Sequence, residues 1–288
     1  DSIIDVNNLI TNSAFKIKSY GDEEIVLEQN ENYWDNVNTK IKKITLKLVE
    51  NEILAYHLFD LEQVDFFGLP FYEIPYERRL DSSKKPELLN FNTSIFEFLK
   101  LNTDNKFLNN PTLRKNLNEL IDSKFLAEFI LYNNSTPFTQ KEELNSEKIS
   151  KLKNEVEDII KKSNLENEIL TLSNNGTKLS ERIIASLSKE WIDKYKIKVS
   201  IKNEGESEIN HSTFNMGTTD DLDIKYFINH FLQNDDFSKM YTSIDDISRD
   251  NLIFPLYKRS FSVLVHKNVQ GLHVSPNGLL LIKNIIKK

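Results

Sequence analysis

Hydrophobic and polar positions alternate with period two in three places near the start of the chain. They are "FKIKSY" at 15–20, "EIVLEQN" at 24–30 and "KIKKITLKLVE" at 40–50. Such alternation points successive side chains to opposite faces and predicts half-buried strands. Gly21-Asp22, between the first two, suits a tight hairpin turn because glycine tolerates positive φ. "NEILAYHLFDLEQVDFFGLP" at 51–70 predicts a short helix leading into an apolar strand that Gly68 and Pro70 end. The stretch "FYEIPYERRLDSSKKPELLN" has two prolines and a charged cluster, and predicts loop and short helix. "FNTSIFEFLKLNTD" at 91–104 is a second alternating run.

The period then changes. "NPTLRKNLNELIDSKFLAEFIL" at 110–131 places Leu113, Leu117, Leu120 and Ile121 at helical spacing, with Pro111 suited to a first helical position after Asn110. One or two more helices are predicted over 139–164 and an amphipathic one over 178–196, with strands at "EILTLSN" and "IKVSIKN". Strands alternating with helices of this length indicate an α/β unit. The last stretch, from "NLIFPLYKRSFSVLVHKN" on, returns to strands and turns. A β-rich start, an α/β middle and a β-rich end predict one lobe interrupted by another, with crossings near residues 95–103 and 252–262.

Composition narrows the classes. A chain of 288 residues with 39 % hydrophobic and 28 % charged positions suits a globular protein with a real core. Its net charge of −7 argues against a dedicated nucleic-acid binder, which needs a basic face. The absence of cysteine removes disulfides, thiolate metal sites and cysteine nucleophiles without fixing a compartment. Seven glycines, in neither a G-x-G-x-x-G nor a Walker-type pattern, leave little room for phosphate-cradling loops. No run of eighteen apolar residues occurs. The opening "DSIIDVNNLI" has neither a basic n-region nor an apolar h-region, so any signal or anchor is expected to lie outside this chain.

Five segments, in order, resemble family 5 extracellular solute-binding proteins, the oligopeptide- and dipeptide-binding components of ABC importers. "ITNSAFKIKSYGDEEIVLEQNENYWD" resembles the family's "TNGPYKLKEW…IVLERNPNYWD", with Ser13-Ala14 replacing the usual Gly-Pro or Gly-Ala. "IKKITLKLVENEILAYHLFDLEQVDF" resembles the strand, helix and "G-E-I-D" strand that come next. "LKLNTDNKFLNNPTLRKNLNELID" is similar to "PPFNDVRVRKALNLAID", and "ASLSKEWIDKYKIKVSIKN" to the helix and strand ahead of the binding segment. "MYTSIDDISRDNLIFPLYKRSFSVLVHKNVQGL" resembles the return segment. The resemblance implies an α/β, two-lobed, periplasmic-binding-protein-like (type II) fold with a partial first lobe. That lobe takes residues 1–97 and 253–288, and the second α/β lobe takes 98–252. It further implies capture of a peptide, or a related small solute, by hinge closure near 98–103 and 252–257, without catalysis or cofactor. The implied partners are ABC permease subunits, not nucleic acid. The implied location is extracytoplasmic, as a cell-surface lipoprotein or in the periplasm, with the membrane reached only through an anchor outside this chain. In the family the Tyr33-Trp34 pair belongs to the first lobe's sheet region, which implies mostly packing roles, as in a sheet corner, with a ligand-facing role as the alternative.

Two departures bear on the site. Few residues precede "TNSAFKIKSY", where members have a long stretch, so the chain is expected to be part of a longer protein or a short relative. The usual "D-G-W-x-A-D-Y" segment is replaced by "TFNMGTTDDLDIKYFINHFL". There Asp220 or Asp221 takes the place of the carboxylate that anchors a peptide's α-ammonium through a charge-assisted hydrogen bond. Thr218 to Asp221 equally resemble an N-cap, and Asp223 a first-turn dipole partner. The family's crossing strand lines the cleft and pairs with an extended peptide, which makes Phe98 and Asn102 candidate ligand-binding residues. Phe96 and Phe98 fit a core equally well. Tyr257, Lys258 and Arg259 lie near the return crossing as hinge or cleft-facing candidates, Tyr257 being the ligand-binding one. The five histidines show no metal-ligand spacing, so no metal site is expected. "NGTKLSERI" lacks the glycine spacing of a nucleophile elbow, so no hydrolase is expected either. The alternative is the same fold used as a sensory or protein-interaction module with a reduced cleft, for example the C-terminal part of a regulator.

Overall fold

The computed structural model describes residues 10–132, 135–137, 145–216, 220–233 and 236–288; the side chains of residues 136, 137, 220–223 and 238 lie outside that description. In chain order the elements begin with β1 (Phe15–Tyr20), β2 (Glu24–Gln29), β3 (Lys43–Lys47), α1 (Glu52–Asp60), β4 (Phe66–Gly68), α2 (Tyr76–Ser82) and the long β5 (Leu88–Leu101). Next come α3 (Pro111–Glu119), α4 (Ser123–Phe125) continuing as a π turn over Leu126–Ile130, β6 (Ser135–Pro137), α5 (Ser146–Lys162), β7 (Leu170–Asn174) and α6 (Lys178–Tyr195). After these run β8 (Val199–Asn203), β9 (Ile209–Asn215), α7 (Asp220–Phe227) with a second π turn over Ile228–Leu232, α8 (Phe237–Met240), α9 (Ile244–Arg249) and the long β10 (Ile253–Val265). Two short antiparallel pairs close the chain.

The chain divides into two compact units. One takes residues up to Phe91 and from Phe261 on, and the other Asn92–Ser260. The changes of unit thus fall at 91/92 and 260/261, against the expected 97/98 and 252/253. Both lie inside long uninterrupted strands, β5 and β10. Extended alternation carries no mark of the residue at which a strand changes its packing partners.

In the first unit, β1, β2 and β3 form an antiparallel sheet in which Ile17, Leu27 and Ile44 stand in register across the three strands. A separate core gathers Tyr56 and Phe59 of α1, Phe67 of β4, Ile74 and Leu264. Gly21 closes the β1–β2 hairpin by donating its N–H to the Glu24 carbonyl, 3.0 Å away. It is not among the glycines at positive φ, so its conformational freedom is not what makes the turn. Gly68 is different. Its φ is +140°, and a Cβ there would stand 2.8 Å from the Ser262 carbonyl oxygen and from Val263 Cα. Only glycine lets β4 approach β10 so closely.

Trp34 is not packed into a sheet corner. It is 84 % exposed, because the surrounding Asn- and Asp-rich turns keep the chain at the surface. The Lys283 Nζ lies 5.3 Å from its ring centre and 5.6 Å from that of Tyr33, while pairing with the Asp35 carboxylate. The pair therefore forms a cation–π clasp on the C-terminal segment. Lys283, then Asn38, hold the Asp35 carboxyl below its ordinary range.

In the second unit the strands run β10-β5-β9-β7-β8, with β6 on β10. β9 is antiparallel to β5 and parallel to β7, and β7 is parallel to β8, joined to it by α6. Asn110, Asn145 and Thr177 cap α3, α5 and α6 by accepting from the amides of Leu113, Lys148 and Ser180. One face of the sheet packs Leu99, Leu101, Leu170 and Leu172 against Leu113 and Leu117 of α3, Val156 of α5, and Ile183, Leu187 and Trp191 of α6. The other packs Phe96, Phe98 and Phe214 against Ile224, Phe227, Ile247 and Ile253. Each fully buried Leu or Phe contributes roughly 1.5–3 kcal/mol, so both faces are strongly held.

Gly68→Ala is expected to destabilise the protein by roughly 1–3 kcal/mol in denaturant unfolding, through backbone strain and the clash with β10. Gly21→Ala is expected to lie within about 0.5 kcal/mol of the parent. Equal effects would contradict the close-approach reading.

Candidate functional site

The second unit buries a carboxylate in its sheet. Glu97 lies in β5 between Phe96 and Phe98, which pack on one face, so its side chain points to the other. It is 0 % exposed. An ionised carboxylate out of water needs opposite charge and hydrogen bonds, and neighbouring strands supply both. Arg259 of β10 pairs with Oε1 through Nη2. Thr213, its register partner on β9, donates its hydroxyl to Oε2 at 2.8 Å. His211 Nε2 lies 3.3 Å from the same oxygen.

The network extends to α6. The Ser180 hydroxyl is 2.6 Å from His211 Nδ1 and accepts from the Asn175 N–H at 3.0 Å. If the hydroxyl donates to Nδ1, the imidazole proton sits on Nε2 facing Glu97; the opposite tautomer would set a lone pair against a carboxylate. Burial alone would raise the Glu97 pKa. The His211 contact, the Arg259 charge and the Thr213 hydroxyl outweigh it and hold the carboxyl below its ordinary range. At its other end, Arg259 offers its carbonyl to the Thr93 hydroxyl at 2.6 Å.

Serine, histidine and carboxylate in this order resemble a nucleophile, base and orienting acid. The arrangement does not present a nucleophile, because Ser180 is 0 % exposed and its oxygen already caps the turn at Asn175. What it does chemically is fix charge and geometry: it ties β5, β9, β10 and the first turn of α6 together through polar groups. Among the described residues no group of three or more His, Cys, Asp or Glu side chains is gathered as a metal site.

The residues singled out from sequence fall in different places. Phe98 is fully buried, its ring 4.8 Å from Phe96, 5.2 Å from Phe227 and 5.0 Å from Phe231. Tyr257 is 2 % exposed and belongs to the opposite, helix-covered cluster. Asn102 is exposed; its side chain accepts from the Asp104 N–H, and its own N–H bonds the Glu208 carbonyl. Asp220 and Asp221 begin α7, but their side chains and that of Asp223 lie outside the described residues. Phe98 and Tyr257 are therefore not brought together. Arg259 was singled out near the return crossing, but its partnership with Glu97, His211 and Ser180 was missed in the sequence, although one signal was present: a glutamate inside "FEFL", where neighbouring residues on both faces are apolar.

The profile of the bacterial extracellular solute-binding proteins, family 5 (middle) matches residues 5–247. The chain belongs to this family. The oligopeptide-binding protein OppA of Bacillus subtilis is 27 % identical over 134 residues, which are 46 % of this chain and 24 % of that relative. The fold is that of solved two-lobed, periplasmic-binding-protein-like relatives. Listeria monocytogenes OppA bound to peptide superposes with a TM-score of 0.72 at 17 % identity, over 98 % of this chain and 65 % of that one. Haemophilus influenzae OppA in complex with RPPGFSPFR gives 0.72 at 17 %, over 96 % and 64 %. The chain thus spans less than two thirds of the length of these relatives. No helix among the described residues is long and apolar enough to cross a membrane.

The Glu97 carboxyl gives stability a defined pH dependence. Its folded pKa is depressed, so its contribution is fully present above the unfolded value of about 4.3 and is lost as pH falls through the folded one. Glu97→Gln is expected to lower stability at pH 7 by roughly 1–3 kcal/mol, by removing the charged acceptor that Arg259 and Thr213 share, and to flatten the acid limb below about pH 4.3. Parallel acid limbs in thermal melts of parent and variant would contradict this.

Proposed function

We propose that this chain captures peptides, or a closely related small solute, for an ABC import system. It holds them without chemistry and releases them to permease subunits on the extracytoplasmic side of the membrane. What carries the reading is the superposition of nearly the whole chain on an OppA bound to peptide, joined to membership of a family named for extracellular solute binding. The mechanism is ligand-driven closure. A solute that contacts both bodies binds the closed arrangement more tightly and shifts the population by that difference in affinity. Main-chain groups of an extended peptide supply sequence-tolerant affinity. A carboxylate supplies orientation, and we assign this to Asp220 and Asp221 at the start of α7. Asn102 adds a polar group at the end of β5, while Phe98 and Tyr257 act from within the two packed faces, by holding the strands that carry such contacts.

Native mass spectrometry before and after denaturation tests the reading: peptides released from the purified chain are the expected result. A chain that comes empty and ignores a diverse peptide pool would overturn it in favour of a sensory or interaction module. Asp221→Asn, and separately Asp220→Asn, are expected to weaken retention of peptides with a free amino terminus by roughly tenfold or more in one of the two variants, since hydrogen bonds to charged groups contribute about 1.5–3 kcal/mol. N-acetylated versions of the same peptides should be unaffected. Equal losses for both peptide forms would contradict the ammonium anchor.

A further inference from the structure

The buried charge network lies beside the place where the chain changes unit. Within the second unit, Arg259 is the residue before Ser260, the last of that unit, and Thr93 follows Asn92, its first. Glu97 holds the Arg259 side chain and the Thr93 hydroxyl holds its carbonyl. Within the first unit, the Ser262 hydroxyl donates to Asn90 Oδ1 at 2.7 Å, tying the same two strands on that side. Side-chain ties therefore flank the pair of crossing points on both sides; between them lie Phe91–Asn92 and Ser260–Phe261, through which the β5–β10 pairing continues.

The segments beyond the ties cannot bend without cost. Phe98, Leu99, Ile253, Phe254 and Leu256 are at most 1 % exposed and are locked into one packed face or the other. Bending a close-packed strand there would open voids on both faces. We propose that Glu97 is a positioning residue for solute capture: by holding Arg259 it fixes β10 up to the point where the chain leaves the second unit, and so confines bending to residues 91–92 and 260–261. The joint is thus shorter than, and displaced from, the 98–103 and 252–257 segments that the sequence resemblance implies. The groups that face Glu97 are His211 and Thr213 from β9 and Arg259 from β10, with Ser180 of α6 acting through His211. This role rests on the proposed capture of peptides, whereas the fixing of β10 does not.

Hydrogen–deuterium exchange and peptide retention, measured together on the full chain with a casein tryptic digest as probe, separate the two. Glu97→Gln is expected to speed amide exchange at residues 92–95 and 257–260 while leaving α5 and β1–β3 unchanged. If the capture-competent population falls to a tenth, retention of the digest weakens about tenfold. Parent retention is expected to fall more steeply than the variant's as pH drops below the ordinary carboxylate range, since the Asp220/Asp221 anchor titrates in both and Glu97 only in the parent. Arg259→Lys, which keeps the charge but loses the planar fork, is expected to give an intermediate acceleration, and is the variant read if Glu97→Gln does not fold. Unchanged exchange at the crossing would overturn the proposal. Faster exchange with undiminished retention would overturn the positioning role. Faster exchange in the variant, beside a parent that retains no peptide, would support the fixing of β10 and overturn the capture of peptides.

Discussion

A carboxylate removed from water is tolerable only beside compensating charge and hydrogen-bond donors. Glu97 meets that condition at a place where three strands and one helix must agree. Arg259 has to arrive from β10, His211 and Thr213 from β9, and Ser180 from the first turn of α6. A slip of one residue in β9 would turn His211 and Thr213 to the opposite face and leave the carboxylate unpaired. Apolar residues of similar volume would pack the same space with comparable stability. They would not specify register in this way, since hydrophobic contacts tolerate rearrangement and a buried charge does not.

Around that point the second unit is built as a sheet covered on both faces. Helices α3, α5 and α6 bury one side, and an aromatic cluster drawn from β5, β9 and α7 buries the other. Being covered twice makes β5 and β10 stiff where they belong to this unit. The same two strands then carry the chain across to the first unit. On the proposed reading, side-chain ties on either side of residues 91–92 and 260–261 concentrate motion in few residues, as capture of a solute by closure requires.

Much of this organisation was legible in the amino-acid sequence, and the failures have physical causes. Helices α3, α5 and α6 announce themselves by apolar residues at helical spacing and by Asn or Thr caps. The early strands show through their alternation. β9 did not show, because "INHSTFN" mixes Asn210 and Ser212 with a buried histidine and so imitates a loop. Glu97 was passed over because a charged residue in an alternating run is ordinarily read as the solvent side, and nothing local says that both sides are covered. Arg259, His211 and Ser180 lie 162, 114 and 83 positions from Glu97 in the chain; contacts at such separation have no local signature. Trp34 misled in the opposite direction. A large aromatic residue suggests burial, whereas its polar turns hold it at the surface against Lys283.

On the proposed reading, solute binding rearranges two bodies about their two crossing strands. The chain contains no cysteine, so a pair introduced at exposed Leu61 in the first unit and exposed Ile192 in the second can be spin-labelled without background. Double electron–electron resonance of that pair, with and without a peptide pool that the protein retains, is the direct measurement. A shift of the whole distance distribution of that pair on adding peptide is the predicted result. An inter-unit distribution that does not move when peptide is bound would contradict it.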